Sequence, residues 1–269
     1  MSFHIVPVGL RYHLACLNPF TRDISITEAP LGLRFDVHKR DAVGRGIYKH
    51  GAHQPVLTEW MVRRFADVTR PKIFIDIGAN VGYFTCILSR LAGSDGSVVA
   101  FEPEPNNLRL LRQNIALNQI RNARVEPVAL GAKDDTASLF IYKNSNQGRH
   151  SLVASAGMSQ IDVPVRRLDD VLRAQDRRFD SIDLIKIDVE GYEPFALAGA
   201  TDSISNARAI ALEFSPELIR KTGLDPAAFL SELSSHFRVF SLVSENAVEP
   251  TTVNACVGLD RQIDVILEK

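Results

Sequence analysis

A glycine-containing turn directly after an apolar strand most constrains what this chain can fold into. Residues 74–85 read Phe-Ile-Asp-Ile-Gly-Ala-Asn-Val-Gly-Tyr-Phe-Thr, and a helical pattern follows at once. A buried strand that leads into such a turn and a helix N-terminus brings backbone N–H groups close to a nucleotide-like ligand. Glu102 lies 20 residues beyond Gly82, where a carboxylate can accept hydrogen bonds from both hydroxyls of a ribose. The sequence therefore predicts an adenosine site.

The spacing of the turn residues indicates which adenosine compound fits. A dinucleotide fingerprint requires glycines at the first, third and sixth positions, but Asn80 and Tyr83 occupy the third and sixth positions counted from Gly78. A phosphate-binding loop would also need a lysine after Gly82, and none is present. S-adenosylmethionine (SAM) has an adenosine and an amino-acid tail but no phosphate, so a SAM site is predicted. The alternative is an ordinary strand–turn–helix whose glycines serve only tight packing.

Composition excludes several classes of protein. Of the 269 residues 45% are hydrophobic, which is enough for the core of one large α/β domain with an extension. The formal net charge of −1 argues against nucleic-acid and membrane partners. The cysteines at positions 16, 86 and 256 are odd in number and far apart, which is typical of reduced thiols in a cytoplasmic protein. No apolar run approaches the ~18 residues of a membrane span.

From residue 71 onward, strand and helix patterns alternate, which predicts an α/β fold with a Rossmann-like, mostly parallel sheet. Seven strands with an antiparallel C-terminal strand are expected, and only a loop separates the final two. The expected strands are 73–77, 97–102, 123–130, 182–189, 208–214, 237–243 and 263–268, and the expected helices are about 82–91, one from 105, 195–200 and 226–233.

Two parts of the chain depart from this alternation. Residues 1–70 form an N-terminal extension that is a lid, an arm or a cover for the sheet, and the sequence leaves these alternatives open. The SAM-binding domain is expected over 71–269, with an inserted segment at 136–168. The insertion holds two short strand-like stretches, 137–143 and 161–167, around a polar loop. Such polar loops commonly contact ligands.

Four segments resemble the FkbM family of class I SAM-dependent methyltransferases. They are Phe-Ile-Asp-Ile-Gly-Ala-Asn-Val-Gly-Tyr at 74–83, Ala-Phe-Glu-Pro-Glu-Pro-Asn-Asn-Leu at 100–108, Ile-Lys-Ile-Asp-Val-Glu-Gly-Tyr-Glu at 185–193 and Leu-Glu-Phe at 212–214. The third segment is the most specific. The chain departs from the family before the helix near residue 57, where an aromatic–glutamate pair is common and this sequence has His53-Gln54.

The resemblance implies the residues that bind SAM. Asp76, Gly78, Asn80 and Gly82 would hold the methionyl part, and Glu102 the ribose. Two strand-end residues, Ala129 and Leu130, would lie beside the adenine, although plain packing explains them equally well. The complete expected set is Asp76, Gly78, Ala79, Asn80, Gly82, Tyr83, Glu102, Pro103, Ala129, Leu130, Ser151 and Asp188.

Charged residues cluster at the end of the fourth expected strand. Lys186 and Asp188 alternate with isoleucines there, and Glu190 follows. Ligands bind at the carboxyl ends of parallel strands, so Asp188 is expected to face the transferred methyl group. In the inserted loop, His150 would suit an alcohol as a general base, although lone loop histidines are more often solvated. The catalytic candidates are therefore Asp188, Glu190, Lys186 and His150.

The acidic cluster has two chemical interpretations. It could act as a general base, or it could hold a divalent metal ion that lowers the pKa of an acceptor hydroxyl. The metal ligands would be Asp188, Glu190 and Glu213. A metal site needs several converging oxygens, and sequence does not show convergence, so the metal is the less favoured alternative. Glu193 is expected on the first turn of the next helix.

The function that the resemblance implies is transfer of a methyl group from SAM to a hydroxyl of a small molecule, such as a sugar or a polyketide. A SAM-binding regulatory protein without catalysis is the first alternative. A nucleotide-dependent oxidoreductase is a weaker one, because the glycine pattern does not match. The expected partner is the small-molecule acceptor, and a second copy of the chain is left open.

Overall fold

The computed structural model describes residues 17, 23–26, 29–38, 42–67, 69–141, 151–153, 159–175, 179–259 and 261–269. The strands are β1 (Asp23–Ile26), β2 (Phe35–His38), β3 (Ile73–Ile77), β4 (Ser97–Phe101), β5 (Ala123–Glu126), β6 (Ala129–Leu130), β7 (Asp135–Ile141), β8 (Ser159–Arg166), β9 (Leu184–Ile187), β10 (Ala209–Phe214), β11 (Val239–Val243), β12 (Val248–Pro250) and β13 (Ile263–Glu268).

The helices are α1 (Ala42–His50), α2 (Pro55–Phe65), α3 (Tyr83–Ala92), α4 (Pro105–Leu117), α5 (Leu168–Arg173), α6 (Glu193–Ala198), α7 (Thr201–Asn206), α8 (Pro216–Lys221), α9 (Pro226–Ser234) and α10 (Val253–Gly258). Within the described ranges, no helix has the length and apolar character needed to cross a bilayer.

The main sheet confirms the predicted fold class. Its strand order is β12-β11-β13-β10-β9-β3-β4-β5, and β3, β4, β5, β9 and β10 run parallel. The C-terminal strand β13 lies between β10 and β11 and is antiparallel to both. This is the expected Rossmann-like arrangement, with one further strand, β12, added at the edge next to β11.

The structure corrects two of the expected elements. The predicted strand 123–130 is two strands in different sheets, because Pro127 lacks the N–H that a continuous ladder requires. Its second part, β6, instead pairs with β8, which pairs with β7 in a separate three-stranded sheet. The connection between β11 and β13, predicted to be only a loop, contains β12 and α10. The helices α1, α5, α7 and α8 and the strands β1 and β2 were not predicted either.

The sheet has an apolar layer on each face. Successive residues of β3 point to opposite faces, so Phe74 packs with α2 and α3 while Ile75 and Ile77 pack with helices of the opposite layer. The first layer also includes apolar residues of β2 and α1. The described part of residues 1–70 therefore covers one face of the sheet beside α3.

Asn114 in α4 and Asn118, the residue that caps the end of this helix, hold β2 and the residue before it in place. The Asn114 side chain accepts a hydrogen bond from the backbone N–H of Asp36 (2.7 Å) and donates to its carbonyl oxygen (2.9 Å). Asn118 makes the same pair of bonds with Arg34, at 2.9 and 2.7 Å. Four residues along a helix rise about 6 Å, and two residues along an extended chain span nearly 7 Å. The amides of Asn114 and Asn118 can therefore reach two positions of the extended chain that are two residues apart.

We expect Asn114→Ala to lower the free energy of unfolding by about 2–3 kcal/mol. The substitution leaves the N–H and C=O of Asp36 and the carbonyl of Val81, which also accepts from Asn114, without their partner. Urea unfolding measures the change. The control is Asn106→Ala on the exposed side of the same helix, which should stay within about 0.5 kcal/mol. Equal losses in both variants would contradict the tethering role.

Candidate functional site

A cleft opens at the carboxyl ends of β3, β4 and β9, and its empty space, counted out into the solvent at its mouth, is about 630 Å³. Several residues predicted from the sequence line it, namely Gly78, Asn80, Glu102, Pro103, Ala129, Leu130 and Asp188. The apolar side chains of Leu139 and Leu152 complete the wall next to Leu130. Residues far apart in the sequence thus meet at one edge of the sheet.

Glu102 is a buried carboxylate in the wall of this cleft, with only 5% of its surface exposed. Its two oxygens accept hydrogen bonds from the backbone N–H groups of Asn80 (2.7 Å) and Glu104 (2.8 Å). Burial raises the pKa of Glu102 to about 7, although these two N–H groups oppose the rise. Glu102 therefore joins the turn after β3 to the loop after β4, and its charge state changes near neutral pH.

Gly78 allows the turn after β3 to touch the loop after β9. Its φ is +74°, and a Cβ atom at this position would lie 1.9 Å from the carbonyl oxygen of Asp188. The N–H groups of Gly78 and Ala79 both donate to the carbonyl oxygen of Phe101 at the end of β4. Any side chain at position 78 would push the turn after β3 away from the loop after β9 and would distort the cleft between them.

Lys186 is a buried cation beneath the cleft. Its Nζ lies 3.5 Å from Asp188 Oδ2 and 3.7 Å from Asp76 Oδ1, and it donates to the carbonyl of Gly78 at 3.3 Å. Burial lowers the pKa of Lys186, but the charges of Asp188, Asp76 and Glu213 outweigh burial and raise it. Lys186 therefore stays protonated. The structure places this catalytic candidate between two carboxylates rather than in the lining of the cleft.

Asp76, Ala79, Gly82 and Tyr83, which were expected to bind the cofactor, do not line the cleft. Asp76 is fully buried and accepts a 2.6 Å hydrogen bond from Thr85 Oγ1. A Cβ on Gly82 would lie 2.4 Å from Leu111 Cδ1, so this glycine serves packing against α4. The Tyr83 hydroxyl lies 3.3 Å from Thr58 Oγ1 in the layer formed by α2 and α3.

The described part of the inserted segment reaches the acidic loop through Ser151. Ser151 Oγ donates a 2.8 Å hydrogen bond to the carbonyl oxygen of Glu190, and it accepts one from the N–H of Val153. The next residue, Leu152, lines the cleft. Ser151 therefore stabilises the loop after β9, which contains Glu190. The other candidate of this segment, His150, lies outside the described residues.

The three acidic residues considered as metal ligands converge. One carboxylate oxygen from each of Asp188, Glu190 and Glu213 lies within 4.8 Å of the others. Burial favours protonation of Asp188, but Lys186, a side-chain hydrogen bond with Glu213 and the nearby His53 together outweigh burial and lower the pKa of Asp188. Burial and the charges of Asp188 and Glu190 raise the pKa of Glu213 well above its ordinary value. The cluster thus combines an ionised carboxylate with a strongly perturbed one.

Glu193 shapes the loop that carries this cluster. It begins α6 as expected, and its carboxylate accepts hydrogen bonds from the N–H groups of Val189 and Gly191, each at 3.1 Å. Between them, Glu190 has a φ of +53°, which is unfavourable by about 1–2 kcal/mol for a residue with a side chain. The bonds from Glu193 and Ser151 hold Glu190 in this conformation.

Sequence reasoning missed several residues of the site. Asn107 and Tyr192 line the cleft, and they lie in the two segments quoted for the family resemblance without a role. His53 lies close enough to Asp188 and Lys186 to feel their charges, and burial lowers its pKa to about 4, so the imidazole is neutral. Its only signal was the departure from the family at His53-Gln54. Asp264 faces Glu213 across β10 and β13, and no motif marks it.

The family model described as the methyltransferase FkbM domain matches residues 76–242, which is more than half of the chain. The chain belongs to the FkbM methyltransferase-domain family. The matched region begins at Asp76 in β3 and contains Glu102, Asp188 and Glu213. The resemblance found in the sequence is thereby confirmed.

Two curated relatives are named methyltransferases. Methyltransferase sdnD of Sordaria araneosa is 28% identical over 166 residues, which are 51% of this chain and 63% of that protein. The 2-O-methyltransferase NoeI of Sinorhizobium fredii is 26% identical over 186 residues, 64% of this chain and 74% of that protein. The chain thus spans less than two thirds of the length of sdnD.

The solved structure of the O-methyltransferase TomG from Streptomyces achromogenes, in complex with SAM, also resembles this chain. The TM-score is 0.45 at 14% identity, covering 81% of this chain and 80% of TomG. At this level of similarity, our description of the fold rests on the strand order of the chain itself.

We expect Gly78→Ala to destabilise the protein by about 2–4 kcal/mol more than Gly223→Ala. Both glycines have positive φ angles, so both substitutions carry a similar backbone strain of about 1 kcal/mol. Only at Gly78 does the added Cβ collide with another part of the backbone, since nothing lies within 4 Å of a Cβ at Gly223. Urea unfolding of both variants measures the difference, and similar losses would disprove the close approach.

Proposed function

We propose that this chain is a SAM-dependent O-methyltransferase that acts on a hydroxyl of a small molecule such as a sugar or a polyketide. The observation that carries the proposal is the placement of two carboxylates on one cleft. Glu102 follows β4 and Asp188 follows β9, and β3 lies between these strands with its turn at Gly78. The carboxylates stand two strand spacings apart, on the order of 10 Å. A ligand in the cleft would contact both.

The residues of the cleft fit SAM. Glu102 is buried and has free lone pairs for hydroxyl donors, as a ribose requires. The Asn80 Oδ1 atom is buried and has no hydrogen-bond partner among the described residues, so it suits a donor such as the ammonium of the methionyl part. Ala129, Leu130 and Leu139 offer an apolar wall for the adenine. These residues are acidic, neutral or apolar, which is poor chemistry for a pyrophosphate.

When bound, SAM would supply an electrophilic methyl group on a sulfonium sulfur. The task left to the protein is to align the acceptor oxygen with that methyl group and to take its proton. Asp188 suits this task because it lines the cleft and Lys186 keeps it ionised. Lys186 and Asp76 fix Asp188 from below, so they act as positioning residues. Glu190, the other acidic candidate of this loop, is buried near Asp188 and is absent from the cleft lining.

The comparisons support the proposed reaction class. The matched family is named for methyltransferases, and NoeI is named a 2-O-methyltransferase. A hydroxyl acceptor agrees with a cleft that ends in carboxylates, because these accept the proton of an alcohol as it reacts.

Calorimetry with S-adenosylhomocysteine tests the cofactor site. We expect one site per chain and at least about tenfold weaker binding for Glu102→Gln, because the hydroxyl donors lose a charged acceptor. The matched control is Glu104→Gln. Glu104 is equally buried in the same loop, but it caps α4 through the N–H of Asn107 and is absent from the cleft lining. Its variant should bind S-adenosylhomocysteine like the native protein.

Absence of binding to the native protein would refute the proposal. If binding occurs, incubation with SAM carrying a labelled methyl group and a panel of sugars and polyketides tests the reaction itself. Label should move to a hydroxyl oxygen. Binding without transfer to any acceptor in such panels would favour the regulatory alternative.

The affinity for S-adenosylhomocysteine should rise as the pH rises from about 6 to 8. The pKa of Glu102 is raised to about 7, so its carboxyl group is mostly protonated below that pH and ionised above it. Ribose hydroxyls donate to the ionised form, so binding favours loss of the proton. The expected change is up to about tenfold per pH unit below the pKa, and it levels off above it. Calorimetry at several pH values measures it, and Glu102→Gln should remove this dependence.

A further inference from the structure

Glu213 has a buried carboxylate oxygen without a hydrogen-bond donor. The residue lies near the end of β10 with only 8% of its surface exposed, and its Oε2 atom has no hydrogen-bond partner among the described residues. The charged groups that act on it most strongly are themselves acidic, namely Asp188, Glu190 and Asp264. A buried carboxylate that faces other carboxylates is unfavourable unless a proton or a cation lies between them.

Among the described residues, Lys186 is a cation close to Glu213, and it is shared between Asp76 and Asp188. The charged groups that raise the pKa of Glu213 are acidic, with Asp188 first among them. A cation between Asp188 and Glu213 would relieve their repulsion, as would a proton shared by the two.

The fold aims Glu190 at this point. The backbone of Glu190 has the left-handed conformation described above. Glu193 accepts hydrogen bonds from the N–H groups of the residues on either side of Glu190, and Ser151 donates one to the Glu190 carbonyl oxygen. In this conformation one Glu190 carboxylate oxygen comes within 4.8 Å of oxygens from Asp188 and Glu213. Three oxygen ligands therefore converge from the loop after β9 and from the adjacent strand β10.

We propose that Asp188, Glu190 and Glu213 bind one divalent cation of the magnesium or manganese class. An all-carboxylate set of three oxygens suits these hard ions, which keep water in their remaining positions. The sequence alone made a metal the less favoured alternative, because convergence could not be seen there. Asp188 lines the cleft, so an ion at this point would be accessible from it. If the proposed function holds, the acceptor oxygen would replace one of the waters.

The experiment is a titration of the purified chain with Mn²⁺, followed by electron paramagnetic resonance of the free ion, without SAM or acceptor. We expect one Mn²⁺ per chain, displaced by Mg²⁺, and at least tenfold weaker binding for Glu213→Gln and for Glu190→Gln. The matched control is Asp264→Asn, which removes the same charge from the strand position paired with Glu213. This control should weaken binding less than threefold.

Two results would overturn the proposal. One is a native protein that binds no Mn²⁺ at millimolar concentration, which would mean that a proton shared by Asp188 and Glu213 takes the place of the cation. The other is an equal weakening by Asp264→Asn and Glu213→Gln, which would mean that cations gather by charge alone. Thermal unfolding in the presence and absence of Mn²⁺ confirms that each variant is folded.

The metal site and the methyltransferase function can fail separately. Calorimetry with S-adenosylhomocysteine on the same Glu213→Gln sample should show unchanged binding, because Glu213 is absent from the cleft lining. Mn²⁺ binding without S-adenosylhomocysteine binding in the native protein would support the metal site and refute the proposed function. Binding of S-adenosylhomocysteine without binding of Mn²⁺ would refute the metal site alone.

Discussion

The ion-paired arrangement of Asp76, Lys186 and Asp188 is the interaction on which the rest of the site depends. Asp76 and Lys186 are register partners on the adjacent strands β3 and β9, so the pairing is built into the sheet. Lys186 also binds the carbonyl of Gly78, which ties the turn to the same cation. Removing one partner of such a buried arrangement leaves an uncompensated charge and typically costs 3–5 kcal/mol. While all three residues are present, Asp188 stays ionised and the ends of β3 and β9 stay together.

The two carboxylates of the cleft show how environment separates chemical roles. The hydrogen-bond donors to Glu102 are all neutral, so burial dominates and the pKa of Glu102 rises to about 7. Asp188 is beside a cation, so its pKa falls. At neutral pH, Glu102 is therefore near its titration midpoint, whereas Asp188 is ionised. Sites that carry out proton transfer commonly contain carboxylates separated in this way.

The sequence was informative where the determinants are local. The strand at 73–77, the turn after it and the position of Glu102 at the end of the next strand are predictable because a short apolar run, glycines and one acid define them within 30 residues. The sequence did not predict features that depend on contacts between residues far apart in the chain. The break at Pro127, the ladder between Asn114 and β2, and the position of His53 depend on which elements meet in space. The burial of Asp76 and Lys186 outside the cleft lining was not predicted for the same reason, since a strand pattern does not tell a residue in the wall of a cleft from one beneath it.

The segment that contains β2, α1 and α2 lies before the family-matched region, yet it contributes His53 to the surroundings of Asp188. It is fastened to α4 and to the residue after that helix by the amides of Asn114 and Asn118, which bind backbone atoms of Asp36 and Arg34. These four bonds do not depend on the side chains at positions 34 and 36. Residues of this segment near Asp188, His53 among them, can therefore vary without loss of this fastening, and under the proposed function such variation would adapt one site to different acceptors.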